Sequence, residues 1–277
     1  MSLLTVEDLV VDYPVATGTF RAVDHVSFSV DKGSTLAVVG ESGCGKSTIA
    51  KSIVRLLTPT SGRILVDGTD IARLSERALR PFRSRVQMVF QDPYGSLDPH
   101  LTAVDIVGEP LRLQGIRSKS ERHRRAAELL DQVQLPPSSL GRRPAEFSGG
   151  QRQRIGIARA LASGPEILVC DEATSALDVS VQAQVLDLLR SIQQDTGITY
   201  VFISHNLGVV REISDHVIVM RKGAVVESGS TAGVLADPQH PYSAALRAAA
   251  LDPTTMVGLK PRYVLSGRPA PVATRGV

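Results

Sequence analysis

Tryptophan is absent from this 277-residue chain, and only five tyrosines and six phenylalanines occur. Any aromatic ring beside a polar motif therefore stands out. Cysteine is nearly absent too: Cys44 and Cys170 are the only two, too few for a disulfide framework and typical of a cytosolic protein. No apolar run approaches the roughly 20 residues that span a bilayer, and the N-terminus shows no signal peptide, so any membrane role is expected to be peripheral. A strong excess of charge is also missing, since 31 basic residues face 28 acidic ones. The densest basic run, Lys119-Ser120-Glu121-Arg122-His123-Arg124-Arg125, is interrupted by acid and reads as a solvated helix face. No nucleic-acid partner is inferred from it. What is present is 43% hydrophobic content, enough for one large domain or one domain with appendages.

One stretch organises the rest. Gly40-Glu41-Ser42-Gly43-Cys44-Gly45-Lys46-Ser47-Thr48 follows the apolar run 35–39 and opens into a helical pattern over 48–57. Strand, glycine-rich loop and helix is the context in which G-x-x-x-x-G-K-[ST] cradles phosphate. Glycines at 40, 43 and 45 let successive N–H groups converge on one anion, and the helix N-terminus adds about half a positive charge. Lys46 supplies a full charge for the β- and γ-phosphates, and the Ser47 hydroxyl suits a Mg²⁺ position. The stretch implies a bound nucleoside triphosphate.

Around it, residues 3–11 and 22–30 alternate as strands, with Tyr13 between them. Tyr13 either stacks on a nucleobase, worth about 1–3 kcal/mol, or covers a sheet edge. Residues 63–66 read as a strand ending at Asp67-Gly68, and 86–90 as another with Gln91 at its carboxyl end. Ligands gather at the carboxyl ends of strands in open α/β sheets, which puts Gln91 within reach of Mg²⁺ or an attacking water. From Thr102 to about Val133 the pattern turns helical, bounded by Pro136-Pro137 and by Gly141-Arg142-Arg143-Pro144, as a helical insertion would be.

Phe147-Ser148-Gly149-Gly150-Gln151 opens a helix over 152–162. Ser-x-x-Gln fits a capping box, but two glycines in a first turn cost about 1 kcal/mol each relative to alanine. Bare backbone there suits the approach of a phosphate, so a second anion site is expected. Residues 166–172 read as a buried parallel strand with Asp171 and Glu172 at its exit. Mg²⁺-nucleotide would partner the two acids: Asp171 holding the metal, Glu172 orienting and polarising water. Ser175-Ala176-Leu177-Asp178 leads into a helix over 179–194; 198–204 is one more buried strand, with His205 at its end. A single histidine is usually structural, yet one on this edge can bond a γ-phosphate. Strands at 216–220 and 224–227 form a hairpin, and the proline-bearing tail from 252 is expected to be loosely docked.

Taken in order, the phosphate loop, Gln91, Ser148-Gly149-Gly150-Gln151, Val169-Cys170-Asp171-Glu172, Ser175-Ala176-Leu177-Asp178 and His205 resemble the nucleotide-binding subunit of an ABC transporter over nearly the whole chain. Asp178 joins the nucleotide-binding set through that resemblance. Gln91-Asp92-Pro93-Tyr94-Gly95-Ser96-Leu97-Asp98-Pro99 and Asp237-Pro238-Gln239-His240-Pro241-Tyr242 look like the oligopeptide, dipeptide and nickel importer branch, and specifically its F-type ATPase subunit. Phe147 departs from the usual leucine. No cysteine follows Cys170, so the iron–sulfur cluster carried by some of that branch is not expected.

The resemblance implies an α/β fold: a phosphate-loop, RecA-like mixed sheet with an N-terminal antiparallel β subdomain and a helical subdomain at about 102–160. These would make a nucleotide-binding domain over 1–251, followed by an extension at 252–277. It implies ATP and Mg²⁺ as ligands, hydrolysis coupled to transport, and residence on the cytoplasmic face of the cell membrane. A second ATPase subunit is implied as partner, unlike or identical, together with two permease subunits and an extracytoplasmic solute-binding protein. Peptide is the implied cargo; nickel, glutathione or another small solute, and a non-transport ATPase of the same family, are the alternatives.

Overall fold

The apolar run ahead of the phosphate loop becomes the strand that the largest sheet is built around. The computed structural model describes residues 2–16, 18–92, 94–175 and 177–251; the tail from 252 lies outside the described residues. In chain order the strands are β1 (Ser2–Val15), β2 (Gly18–Asp31), β3 (Thr35–Gly40), β4 (Ser61–Val66), β5 (Thr69–Asp70), β6 (Val86–Val89), β7 (Ile167–Asp171), β8 (Thr199–Ile203), β9 (His216–Arg221) and β10 (Ala224–Ser230). The helices are α1 (Lys46–Ile53), α2 (Glu76–Arg85), α3 (Ala103–Leu113), α4 (Lys119–Gln132), α5 (Gly149–Leu161), α6 (Val179–Thr196), α7 (Leu207–Ile213), α8 (Thr231–Ala236) and α9 (Pro241–Leu251).

Six strands make one mixed sheet in the order β10-β9-β3-β8-β7-β6, parallel except for the β9–β10 hairpin. The first two strands join β4 and β5 in a separate antiparallel sheet, β2-β1-β4-β5. Strands β3, β7 and β8 are buried along their whole length, which is why they read as unbroken apolar runs. Alternate side chains on each pass to opposite faces. Ile167, Val169, Val201 and Ile203 pack with the N-terminal sheet and α1. Leu168, Cys170, Tyr200 and Phe202 pack with α3, α4, α5 and α6. The parallel sheet therefore lies between a β layer with α1 and α2 and a layer of helices.

Helix α1 starts at Lys46 and stops at Ile53, shorter than the 48–57 pattern. Arg55 ends it by taking a left-handed conformation (φ 54°), while its buried guanidinium donates to Ile71 O and Thr58 Oγ1. The helical stretch after Thr102 is two helices, because Gly115 (φ 93°) turns the chain between α3 and α4. Helix α2 has no counterpart in the sequence reading; only Leu79 of it is buried, so no apolar periodicity announces it. Among the described residues no helix is long and apolar enough to cross a membrane.

Candidate functional site

The carboxyl ends of β3, β6, β7 and β8 bring the phosphate loop, Gln91, Asp171-Glu172 and His205 to one edge of the sheet. At its entry Gly40 (φ 150°) lies so close to β9 that a Cβ there would sit 2.3 Å from Met220 O. At its exit Gly45 (φ 104°) caps α1, and a Cβ would sit 2.3 Å from Ala22 O. Any side chain at either position would push the loop off its supports. Lys46, 4% exposed, donates from Nζ to Gly40 O and to Glu41 O, both at 2.8 Å. The loop thus ties its own cation down before any ligand is considered. Cys44 is buried beneath, and burial pushes its thiol above the usual range.

Ser47 Oγ donates to Asp171 Oδ1 at 3.0 Å. Burial raises the Asp171 carboxyl above its ordinary range, an effect that Glu172 reinforces and Ser47 opposes. A hydroxyl beside a poorly solvated carboxylate is the oxygen donor set a hard divalent cation takes. Among the described residues no cluster of three or more His, Cys, Asp or Glu could cage a metal alone. The pair suits Mg²⁺, which keeps waters and shares substrate phosphates, better than a self-contained site.

Glu172 holds a left-handed backbone (φ 46°), uncommon for a non-glycine residue and costly by about 1–3 kcal/mol. Its N–H donates to Ile203 O, and its carbonyl accepts from Ser175 N–H and Oγ. Its carboxylate accepts from Gln91 Nε2 at 2.8 Å through Oε2, and His205 Nδ1 lies 3.4 Å from Oε1. The three predicted polar residues therefore meet at one carboxylate.

A cleft of about 320 Å³ opens over the loop, bordered by Tyr13, Phe20, Ser42, Lys46, Ser47, Thr48, Gln91 and Glu172. Tyr13 is thus beside the loop, and Phe20, its cross-strand partner on β2, stands with it, half exposed. Phe20 is not among the sequence-predicted residues, because its place opposite Tyr13 is set by the β1–β2 register and not by any motif. Tyr242 was also missed as a site residue, although its hydroxyl accepts from Glu41 N–H at 3.0 Å.

Ser148, Gly149, Gly150 and Gln151 do not border this cleft. They form the complete capping box of α5, with Gln151 N–H donating to Ser148 Oγ and Ser148 N–H to Gln151 Oε1. Gly150 also has a packing cause: a Cβ would meet Val181 Cγ1 at 2.3 Å, so glycine lets α5 approach α6. Gly150 is therefore glycine for packing as well as for any approaching anion, whereas Gly149 has no such close neighbour. Asp178 sits exposed at the N-cap position of α6 without a capping bond.

The family model for ABC transporters matches residues 23–175. A probable peptide ABC transporter ATP-binding protein of Sinorhizobium fredii is 54% identical over 256 residues, 90% of this chain and 72% of that protein. The oligopeptide transport ATP-binding protein AppF of Bacillus subtilis is 49% identical over 253 residues, 88% of this chain and 77% of its own length. Among solved structures, the dimeric post-hydrolysis state of the ATP-binding cassette MJ0796 bound to ADP and Pi superposes with a TM-score of 0.76. It is 31% identical, over 82% of this chain and 98% of that one. Clostridium perfringens cbiO1, part of the transporter complex cbiONQ, gives a TM-score of 0.75 at 29% identity, over 85% and 91% of the two chains.

Proposed function

The chain belongs to the ABC transporter family, and from that premise we propose that it is the ATP-hydrolysing subunit of a peptide importer. One observation carries the hydrolytic part: Gln91 and His205 converge on Glu172 at the edge that holds Lys46, Ser47 and Asp171. ATP lies along the phosphate loop, with loop N–H groups and the Lys46 ammonium facing its phosphates. Glu172 orients a water and accepts its proton as the water oxygen attacks the γ-phosphorus and the bond to the β,γ-bridging oxygen breaks, releasing ADP and phosphate. His205 holds the γ-phosphoryl oxygens, and Gln91 keeps the Glu172 carboxylate aimed. Ser47 and Asp171, with Gln91 close by, would hold Mg²⁺, which would supply charge neutralisation for the phosphates. The exposed face of Tyr13, with Phe20 beside it, stacks the base.

The dimeric cassettes that this chain resembles favour a two-fold pair of nucleotide-binding subunits. In that pair Ser148–Gln151 and Asp178 of one subunit reach the ATP held by the loop of the other. The relatives' names favour an importer of peptides, with an unlike ATPase as the second subunit. Two permeases and a solute-binding protein complete it, and the chain works peripherally on the cytoplasmic face. Helices α3–α5, within about 102–160, act as one subdomain of a nucleotide-binding domain spanning 1–251.

The test is uptake of a radiolabelled oligopeptide by membrane vesicles carrying the chain and its co-encoded permeases. Uptake should require ATP inside the cytoplasmic compartment and vanish with Lys46→Ala, which loses ATP binding. Uptake of peptide that continues with Lys46→Ala would refute the assignment.

A further inference from the structure

The turn that precedes α9 is fastened to the sheet and, through one hydroxyl, to the phosphate loop. Glu227 on β10 accepts the backbone N–H groups of Gln239 (2.8 Å) and His240 (3.1 Å). His240 Nδ1 in turn accepts the N–H of Tyr242 at 3.1 Å. The Tyr242 ring is 4% exposed, packed with Ala37 and Val39 of β3, Val210 of α7 and Val234 of α8. The Arg221 guanidinium lies 5.0 Å from its centroid. Only the hydroxyl leaves this apolar setting, and it accepts the Glu41 N–H at 3.0 Å. The carbonyl of the same Glu41 accepts from Lys46 Nζ at 2.8 Å. Glu41 is therefore held on one side by Tyr242 and on the other by the cation of the loop.

Resting on the reading of this loop as an ATP site, we propose that Tyr242 is a positioning residue for nucleotide binding. It fixes the peptide group of Glu41 and, through the Glu41 carbonyl, the place of the Lys46 ammonium. A phosphate loop binds well when its N–H groups and lysine already point at the anion, because ordering them on binding costs affinity. The hydroxyl supplies part of that order from outside the loop. Docking of the segment 237–246 and affinity for ATP are linked through it.

Tyr242→Phe keeps the ring and the Arg221 contact and removes only the acceptor. Mg²⁺-ATP binding to the intact chain, measured by titration calorimetry, should weaken about three- to tenfold, the size of one lost hydrogen bond. Amide hydrogen exchange at Glu41 should quicken in parallel. Val133→Ala loosens the separate core at the end of α4, away from Glu41 and from the 237–246 segment; it should lower the melting temperature and leave ATP affinity unchanged. Tyr242→Phe with parental affinity, or an equal loss of affinity in Val133→Ala, overturns the proposal. Failure of the parent chain to bind ATP would instead strike the assignment of the loop.

Discussion

Gln91 Nε2 and Glu172 Oε2 are 2.8 Å apart although 81 residues separate them in the chain. The bond joins the loop after β6 to the exit of β7, and it sets which way the Glu172 carboxylate faces. His205 approaches the other carboxylate oxygen. Replacing the carboxylate by an amide keeps the size and a hydrogen-bonding partner but removes the base. Glu172→Gln is expected to lower phosphate release at least about a hundredfold, within the range for loss of a general base, while ATP-dependent dimerisation in gel filtration persists. Turnover within a few-fold of the parent takes Glu172 out of the base role.

Asp171 is buried, and its carboxyl is raised mainly for that reason. A carboxylate in such a place costs stability unless a cation or donor offsets it. Asp171→Asn keeps an acceptor for Ser47 and removes the charge. The nucleotide-free variant is expected to melt above the parent at pH 7, yet its ATP affinity should no longer respond to Mg²⁺. Calorimetry with and without EDTA reads the second effect.

Gly150 faces Val181 at a distance no Cβ tolerates. Valine is stiff at χ1, so the clash is relieved by shifting α5 against α6. Gly150→Ala should destabilise by about 1–3 kcal/mol, as overpacking does. Adding Val181→Ala should recover most of it, a coupling that a double-mutant cycle by denaturant melts measures directly. If the two substitutions add independently, the packing explanation is wrong.

Tyr13 and Phe20 are cross-strand neighbours beside the loop. Removing either ring should raise the ATP dissociation constant by about five- to a hundredfold if each stacks on the base. Inorganic triphosphate, which has no base, should bind Tyr13→Ala and Phe20→Ala as it binds the parent. Equal weakening of both ligands would mean that the rings support the loop rather than the base.

Asp105 on α3 accepts from Thr102 Oγ1 at 2.5 Å and lies 2.9 Å from His123 Nε2 on α4. The Thr102 hydroxyl first, and His123 next, hold its carboxyl below the usual range near 3.8. A folded value below the unfolded one means stability that is complete above the ordinary carboxyl range and disappears as pH falls through the depressed value. Asp105→Asn should therefore melt below the parent at pH 7, with the gap closing as pH falls below about 4. A gap that widens under acid contradicts the sign.

Local order in the sequence carried much of this protein. The loop from Gly40 to Thr48, the apolar strands and the acids at a strand exit are contiguous residues. Their chemistry depends on neighbours close by in the chain, as Lys46 on Gly40 and Glu41, so their nature is written in line. Family membership followed from the order of such pieces. Tertiary structure decided what distant residues share: that Gln91 and His205 meet on one carboxylate, that Phe20 joins Tyr13, that Gly150 yields space to Val181, and that Tyr242 holds Glu41. Those contacts arise where a twisted sheet gathers strand ends and where helices are pressed together, and no spacing along the chain encodes them.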